Sequence, residues 1–262
     1  MRYKTQISWL TCLSLDAPLV AIVWQNAVST NYGFQIDWYH RVLVFLSVWL
    51  GYSADRWFDA WRHEENVSQR HRFFSNYRWP LLFIWAAVLV GAFALALYTL
   101  NATELAFGIT LSLSSIAITF IVQFFNLRRY RSLTKSLLTA TLVTASVLLF
   151  ALPDGTNERT STLFLLLAIF TLNCSFIHSW DRPIDSLQEK RFFDSTRNGS
   201  LKISFVLASI AMVVSYDNPL FIYTLTSTFL LTAIHFFENR IHLETRRTLA
   251  DLCLLTPLAA FL

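Results

Sequence analysis

Two aspartates four residues apart close an apolar stretch in GYSADRWFDAWRHEEN, residues 51–66. The pattern returns in WDRPID at 180–185, so Asp-Arg-x-x-Asp occurs twice, starting at Asp55 and at Asp181. The chain of 262 residues holds 10 Asp and 17 Arg. A shuffled chain of that composition contains the pattern roughly 0.02 times, so two copies make a motif. Residues four apart share a helix face, and Asp55 and Asp59 therefore present two carboxylates to one point. Asp181 and Asp185 have the same spacing with Pro183 between them. Proline disfavours helical geometry at the preceding Arg182 and removes a donor, so a break or a new first turn is expected there. Four converging carboxylates repel one another unless a cation lies between them. Divalent ions with oxygen ligands suit such a site, and Mg2+ in particular combines one or two carboxylates with phosphate oxygens. The plainer alternative makes each acid a solvated helix end paired with Arg56 or Arg182.

Bases near the acids extend this chemistry. Arg128, Arg129, Arg131 and Lys135 lie in NLRRYRSLTK, Arg70, His71 and Arg72 in QRHRFF, and Lys190 and Arg191 follow the second motif. Acids that hold Mg2+ beside bases that hold phosphate oxygens describe a diphosphate site. Lys135 stands out because it begins an apolar segment; taken singly, each base is also explained by membrane sidedness. The 9 Trp, 9 Tyr and 23 Phe suit interfacial anchors, and some suit the wall of an apolar tunnel whose ring faces stabilise a carbocation.

The elements that must carry these residues are membrane helices. The composition is 55% hydrophobic and 15% charged, with a mean hydropathy of +0.45. Apolar stretches of about 18 residues or more read as spans. Nine are expected, at 9–29, 40–58, 79–100, 105–125, 134–152, 161–180, 201–216, 219–237 and 246–262. The short alternating segments of a β-barrel are absent. The basic start MRYKTQISWLTCLSLDAPLV is read as a first transmembrane helix rather than a signal peptide, because Asp16 and Pro18 interrupt it and no small-x-small cleavage site follows. With the N-terminus inside, 19 of the 21 Lys and Arg fall on the inner side, and only Arg41 and Arg159 lie outside. That asymmetry supports nine spans, N-in and C-out. The expected architecture is a single all-α, membrane-embedded domain over 1–262, whose inner loops at 55–78 and 181–202 carry the Asp motifs. The net charge of +4 and pI near 9.1 follow from these loops and do not call for nucleic acid. No obligate protein partner is evident either. Cys12, Cys174 and Cys253 sit in apolar runs without paired spacing and read as packing residues.

These features resemble the UbiA family of intramembrane prenyltransferases, which carry NDxxDxxxD on the second of nine helices and DxxxD on the sixth. SADRWFD is similar to the latter part of the first motif and WDRPID to the second. The helix count, the sidedness and the basic segment before the fifth span agree over essentially the whole chain. The resemblance implies Mg2+ held by Asp55 and Asp59 and by Asp181 and Asp185, bridging the diphosphate of an isoprenoid donor. It implies transfer of the prenyl group to a lipophilic, aromatic or other acceptor, with Asp55 accepting the acceptor's proton. Lys135, Arg128, Arg72 and Arg191 would bind the diphosphate, and Tyr52 would offer a hydroxyl. Such a protein is a multi-pass component of a bacterial cytoplasmic membrane, surrounded by lipid, with its site facing the cytoplasm. Where the family motif begins Asn-Asp, this chain has Gly51-Tyr52.

Other polar residues lie within the expected spans. Asp16 and Asp251 fall in the inner halves of their helices, as pocket residues or as interhelical hydrogen-bond partners. Gln25 and Asn26 are expected to satisfy a neighbouring helix, and His178 is a candidate ligand or base. Two rival functions remain: a transporter, whose ionisable groups lie beside broken helices, and a relative that binds isoprenoid diphosphate without turning it over.

Overall fold

The computed structural model describes residues 12–62, 69–124, 131–151, 157–188 and 195–261. Among them the regular structure is helical throughout. In chain order the helices are α1 (Asp16–Asn31), α2 (Trp38–Arg62), α3 (Gln69–Asn76), α4 (Arg78–Thr99), α5 (Ala102–Phe124) and α6 (Arg131–Leu148). Then come α7 (Asn157–Gln188), α8 (Ser195–Val214), α9 (Phe221–Phe236) and α10 (Leu243–Cys253), with 3-10 turns at Glu238–Arg240 and Thr256–Phe261. Each expected span overlaps a helix. Among the described residues two stretches are long and apolar enough to cross a membrane, Arg78–Thr99 and Arg159–Trp180. Shorter apolar helices cover Ala102–Ile118, Ser136–Leu148, Leu201–Val214 and Phe221–Phe236.

These two long helices play opposite parts. α4 has a mean hydropathy of 2.4 in its most apolar window, yet Ala92 alone is buried along it. Phe83, Val90 and Tyr98 stand exposed, Tyr98 by 90%. α5, α8 and α9 likewise turn Leu113, Ile116, Val213 and Phe229 outward. Apolar surface on this scale suits hydrocarbon as the surrounding medium. α7 is instead the axis of the bundle and packs against α6, α8, α9 and α10. Leu165, Ile169, Leu172 and Phe176 recur at helical spacing along it, and all are fully buried.

α1 fits beside α2 and α6 through small residues, Ala21 and Ala27, that flank a fully buried Trp24. The Trp24 ring meets Phe170 of α7 edge-on at 6.1 Å, and its Nε1 donates to the carbonyl of Leu254 at 2.8 Å. A Schellman cap ends α1: Phe34 N–H donates to Ser29 O at 2.8 Å and Gly33 N–H to Thr30 O at 3.2 Å. Gly33 supplies the φ of +71° that this cap requires.

Three expectations are corrected. The first span, expected over 9–29, is interrupted: Ser14 has a φ of +57°, and α1 begins only at Asp16. Pro18 in the first turn of α1 marks a helix start, because its missing N–H costs nothing there. The ninth span, expected over 246–262, is an 11-residue helix followed by a 3-10 turn; Pro257 keeps Thr256 out of α geometry. At Pro183 no break occurs, and α7 runs through it to Gln188. A proline this close to a helix end forfeits one backbone bond, and the remaining ladder carries the turn.

The indole of Trp24 is the tie between α1 and the interruption after α10. Trp24→Phe leaves the buried carbonyl of Leu254 without its donor, and the loss is expected to be about 1–3 kcal/mol. The exposed Leu19→Ala is expected to cost well under that. Equilibrium unfolding in detergent, followed for both variants, checks the difference.

Candidate functional site

α2 and α7 run in the same direction. Tyr32, just before α2, meets Thr162 near the start of α7, hydroxyl to hydroxyl at 2.7 Å. Asn218 joins them, with Nδ2 donating to Tyr32 Oη at 2.9 Å and to Thr162 Oγ1 at 3.0 Å. Farther along both helices, Tyr52 and Cys174 come into electrostatic range of each other. From these levels Asp55 and Asp59 lie about 5 and 10 Å further along α2, and Asp181 and Asp185 about 10 and 16 Å along α7. Both motifs are thus carried to the same end of the bundle.

Continuity through Pro183 also returns Asp181 and Asp185 to one helix face, as the spacing of Asp55 and Asp59 does on α2. Asp55 is half-buried and engaged with neighbouring groups. The side chains of Asp59, Asp181, Asp185, Arg72 and Lys135 are outside what the structure describes, although their backbones belong to α2, α7, α3 and α6. Arg128 and Arg191 fall outside the described residues altogether. Gly51 is exposed, and a Cβ built there meets nothing within 4 Å. Among the described residues no three His, Cys, Asp or Glu gather as a metal-binding group.

One turn deeper than Asp55 lies a polar cluster that spacing did not assemble. The Asp16 Oδ1 at the start of α1 accepts from Ala17 N–H at 3.0 Å, and Oδ2 lies 4.0 Å from Arg56 Nη2 on α2. Asn173 Nδ2 on α7 donates to Asp251 Oδ1 on α10 at 3.3 Å. The Asp16 and Asp251 carboxyls are themselves within hydrogen-bonding reach. Tyr52 faces the same group, with Cys174, Asp251, Asp16 and Arg56 around its phenol. Four helices therefore contribute. Asp16 and Asp251 are flagged in the sequence as acids in apolar surroundings, but their meeting follows from the interruptions at Ser14 and Leu254. Asn173 carries no signal beyond being an amide in an apolar helix.

Other expectations divide. Asn26 does satisfy a neighbour, its Oδ1 accepting from Arg41 Nε at 2.8 Å. Gln25 does not: it is fully buried, and among the described residues neither amide atom has a hydrogen-bond partner. Its methylene stem packs while its head group is stranded, a cost the surrounding helices absorb. The cysteines are free, with Cys253 buried and Cys12 and Cys174 half-buried. His178 is half-buried and in contact with other groups.

An aromatic-lined cavity of about 130 Å³ is present, walled by Trp49, Trp57, Phe58, Phe74 and Trp85. It lies on the side of α2 turned from Tyr52 and Arg56, by helical angle. Its indoles are spent on backbone carbonyls: Trp49 on Leu13 at 2.9 Å, Trp57 on Arg78 at 3.4 Å and Trp85 on Leu50 at 3.0 Å. The interior surface is accordingly hydrocarbon.

The chain matches no family model, no curated protein and no solved structure.

The Asp16–Arg56 pair is enclosed, with side-chain exposures of 9% and 17%. Removing one partner strands a charge, so Arg56→Leu is expected to destabilise by about 3 kcal/mol. The double variant Arg56→Leu, Asp16→Leu is expected to recover most of that loss. A double-mutant cycle in detergent unfolding measures the coupling, and additive losses would show the pair to be uncoupled.

Proposed function

We propose that this protein is a multi-pass integral membrane prenyltransferase of UbiA type. It transfers the prenyl group of an isoprenoid diphosphate to a lipophilic acceptor. The observation that supports this reading is the doubled Asp-Arg-x-x-Asp motif, borne by two helices that run the same way and present each acid pair on one face. The nine-span, N-in arrangement and the site on the cytoplasmic side rest on the Lys and Arg asymmetry.

The acids are hard oxygen donors at helical spacing, the donor type that Mg2+ prefers. In the proposed mechanism Asp55 and Asp59 hold one ion, and Asp181 and Asp185 hold another. The bound Mg2+ supplies charge neutralisation of the departing diphosphate. Lys135, Arg128, Arg72 and Arg191 bind the diphosphate oxygens, and the Tyr52 hydroxyl lies one turn from Asp55. The carbon–oxygen bond of the donor breaks with both electrons going to diphosphate. The acceptor's nucleophilic atom then bonds to the allylic carbon, and its proton passes to Asp55. Surrounding apolar helices keep water from the allylic cation.

Asp16 and Asp251 beside interrupted helices favour a second reading, a transporter. Flux of substrate into sealed vesicles without chemical change would support it. A member that binds the diphosphate without turnover, suggested by Gly51-Tyr52 in place of Asn-Asp, would form no product with any acceptor in the presence of Mg2+.

Equilibrium binding of farnesyl diphosphate to the purified protein in detergent tests the main proposal. Binding is expected to need Mg2+, to vanish on adding EDTA, and to weaken at least tenfold in Asp55→Asn and in Asp181→Asn, about 1.4 kcal/mol or more. Folded protein that binds nothing, or that binds equally well in both variants, would remove the diphosphate site from consideration.

A further inference from the structure

The prenyl-transfer scheme leaves the aromatic cavity between α2, α3 and α4 without a task. Its volume of about 130 Å³ is close to the roughly 150 Å³ at which an apolar cavity stays dry and admits a benzene-sized guest. The polar atoms of its described walls are spent. The indoles of Trp49, Trp57 and Trp85 donate to backbone carbonyls, and the Ser53 hydroxyl donates to Trp49 O at 2.6 Å. An occupant is therefore held by hydrocarbon contact and by ring faces. The cavity is partly open, so an occupant can enter it.

We propose that this cavity takes part of one acyl chain of an anionic phospholipid, whose phosphate lies on Arg78. Three observations select that occupant. α4, which supplies Leu81, Leu82 and Trp85 to the wall, is long and apolar enough to cross a membrane, and its Phe83 and Ile84 stand exposed beside them. At the start of α4, Tyr77 and Trp79 are exposed by 53% and 59% and flank Arg78, the combination of rings and cation that marks headgroup level. Arg78 is itself exposed, its guanidinium 5.6 Å from the centre of the Trp79 ring, and among the described residues no carboxylate pairs with it. From Arg78 the wall residues of α4 lie about 5–10 Å further along the helix, the depth at which a lipid anchored there passes its first chain carbons. Trp57 joins the two features, because it lines the cavity and its Nε1 donates to Arg78 O at 3.4 Å.

This site is separate from the one proposed for the isoprenoid diphosphate. Trp49, Ser53 and Trp57 recur along one face of α2 and line the cavity, whereas Asp55 lies on the opposite face. A diphosphate held at Asp55 and a lipid chain in the cavity therefore occupy different sides of the same helix. The lipid site rests on α4 lying in a bilayer and on none of the acid motifs.

Trp49, Trp57 and Trp85 provide the readout. The whole protein in maltoside detergent is titrated with phosphatidylglycerol brominated in the upper half of its acyl chains, bromine being a contact quencher of indole emission. Quenching is expected to saturate and to be reversed by unlabelled phosphatidylglycerol. Brominated phosphatidylcholine, which carries no net charge, is expected to need at least tenfold higher concentration. Arg78→Gln is expected to weaken phosphatidylglycerol binding at least tenfold without moving the thermal unfolding midpoint in lipid-free detergent. Ala54→Leu, which fills the cavity, is expected to remove the saturable quenching. Its unfolding midpoint shows whether that variant is folded, and Arg78→Gln decides the matter if it is not. Quenching that grows linearly with lipid, that is equal for the two headgroups, or that Arg78→Gln leaves unchanged overturns the proposal. So does displacement of the brominated lipid by farnesyl diphosphate with Mg2+, which would give the cavity to the prenyl tail. Asp55→Asn is expected to leave the lipid quenching intact, so the two sites stand or fall separately.

Discussion

Two indole N–H groups hold the backbone where it leaves helical geometry. Trp49 of α2 reaches the carbonyl of Leu13, and Trp24 of α1 reaches that of Leu254. In an apolar surrounding a free carbonyl has no water to turn to, so each interruption that Pro18 or Pro257 marks is stabilised by a side chain that donates to it. The polar cluster depends on both. The first interruption makes Asp16 the opening residue of a helix, and the second ends α10 soon after Asp251.

Packing around this arrangement suits a hydrocarbon surrounding, in keeping with the two helices long and apolar enough to cross a membrane. Lipid offers no gain for hiding leucine, so association rests on close fit and on hydrogen bonds between helices. The buried residues reflect that, with Ala21, Ala27, Ala140 and Ala208 at contacts and the linked Tyr32, Thr162 and Asn218 at one end. The second polar group, in which Trp180 Nε1 donates to Glu238 Oε2 at 3.0 Å and His235 Nδ1 lies 3.1 Å from the same oxygen, secures α7 to α9 beside Asp181. Fixing α7 at both ends gives a rigid support for whatever the acids bind.

Helix existence was legible in the sequence because long apolar runs leave little choice of structure. α4 and the middle of α7 are plain in hydropathy alone. The interruptions are marked more faintly, by Asp16 and Pro18 at one and by Pro257 at the other, because the apolar residues on either side read as one continuous span. Pro183 acts in the opposite sense: its propensity favours a break, and the continuing turns of α7 override it. The acid motifs were legible from repetition. Asn173, Arg56 and Asp251 as neighbours were not, since residues 56, 173 and 251 come together only through the packing of three helices. The stranded amide of Gln25 has no counterpart in any sequence pattern.

The hydrogen bond from Trp24 to Leu254 spans 230 residues of chain, which has a consequence for assembly. At translation rates of about 5–20 residues per second, the carbonyl that Trp24 needs is made on the order of 10–50 s after the indole. Throughout that interval α1 is already synthesised and its tryptophan lacks the carbonyl it pairs with, whereas Asp16 meets Arg56 as soon as α2 is made. A newborn α1 is therefore held by α2 until α10 and the turn after it are made. Assembly is closed late, like a clasp, and truncation before Leu254 leaves the clasp open.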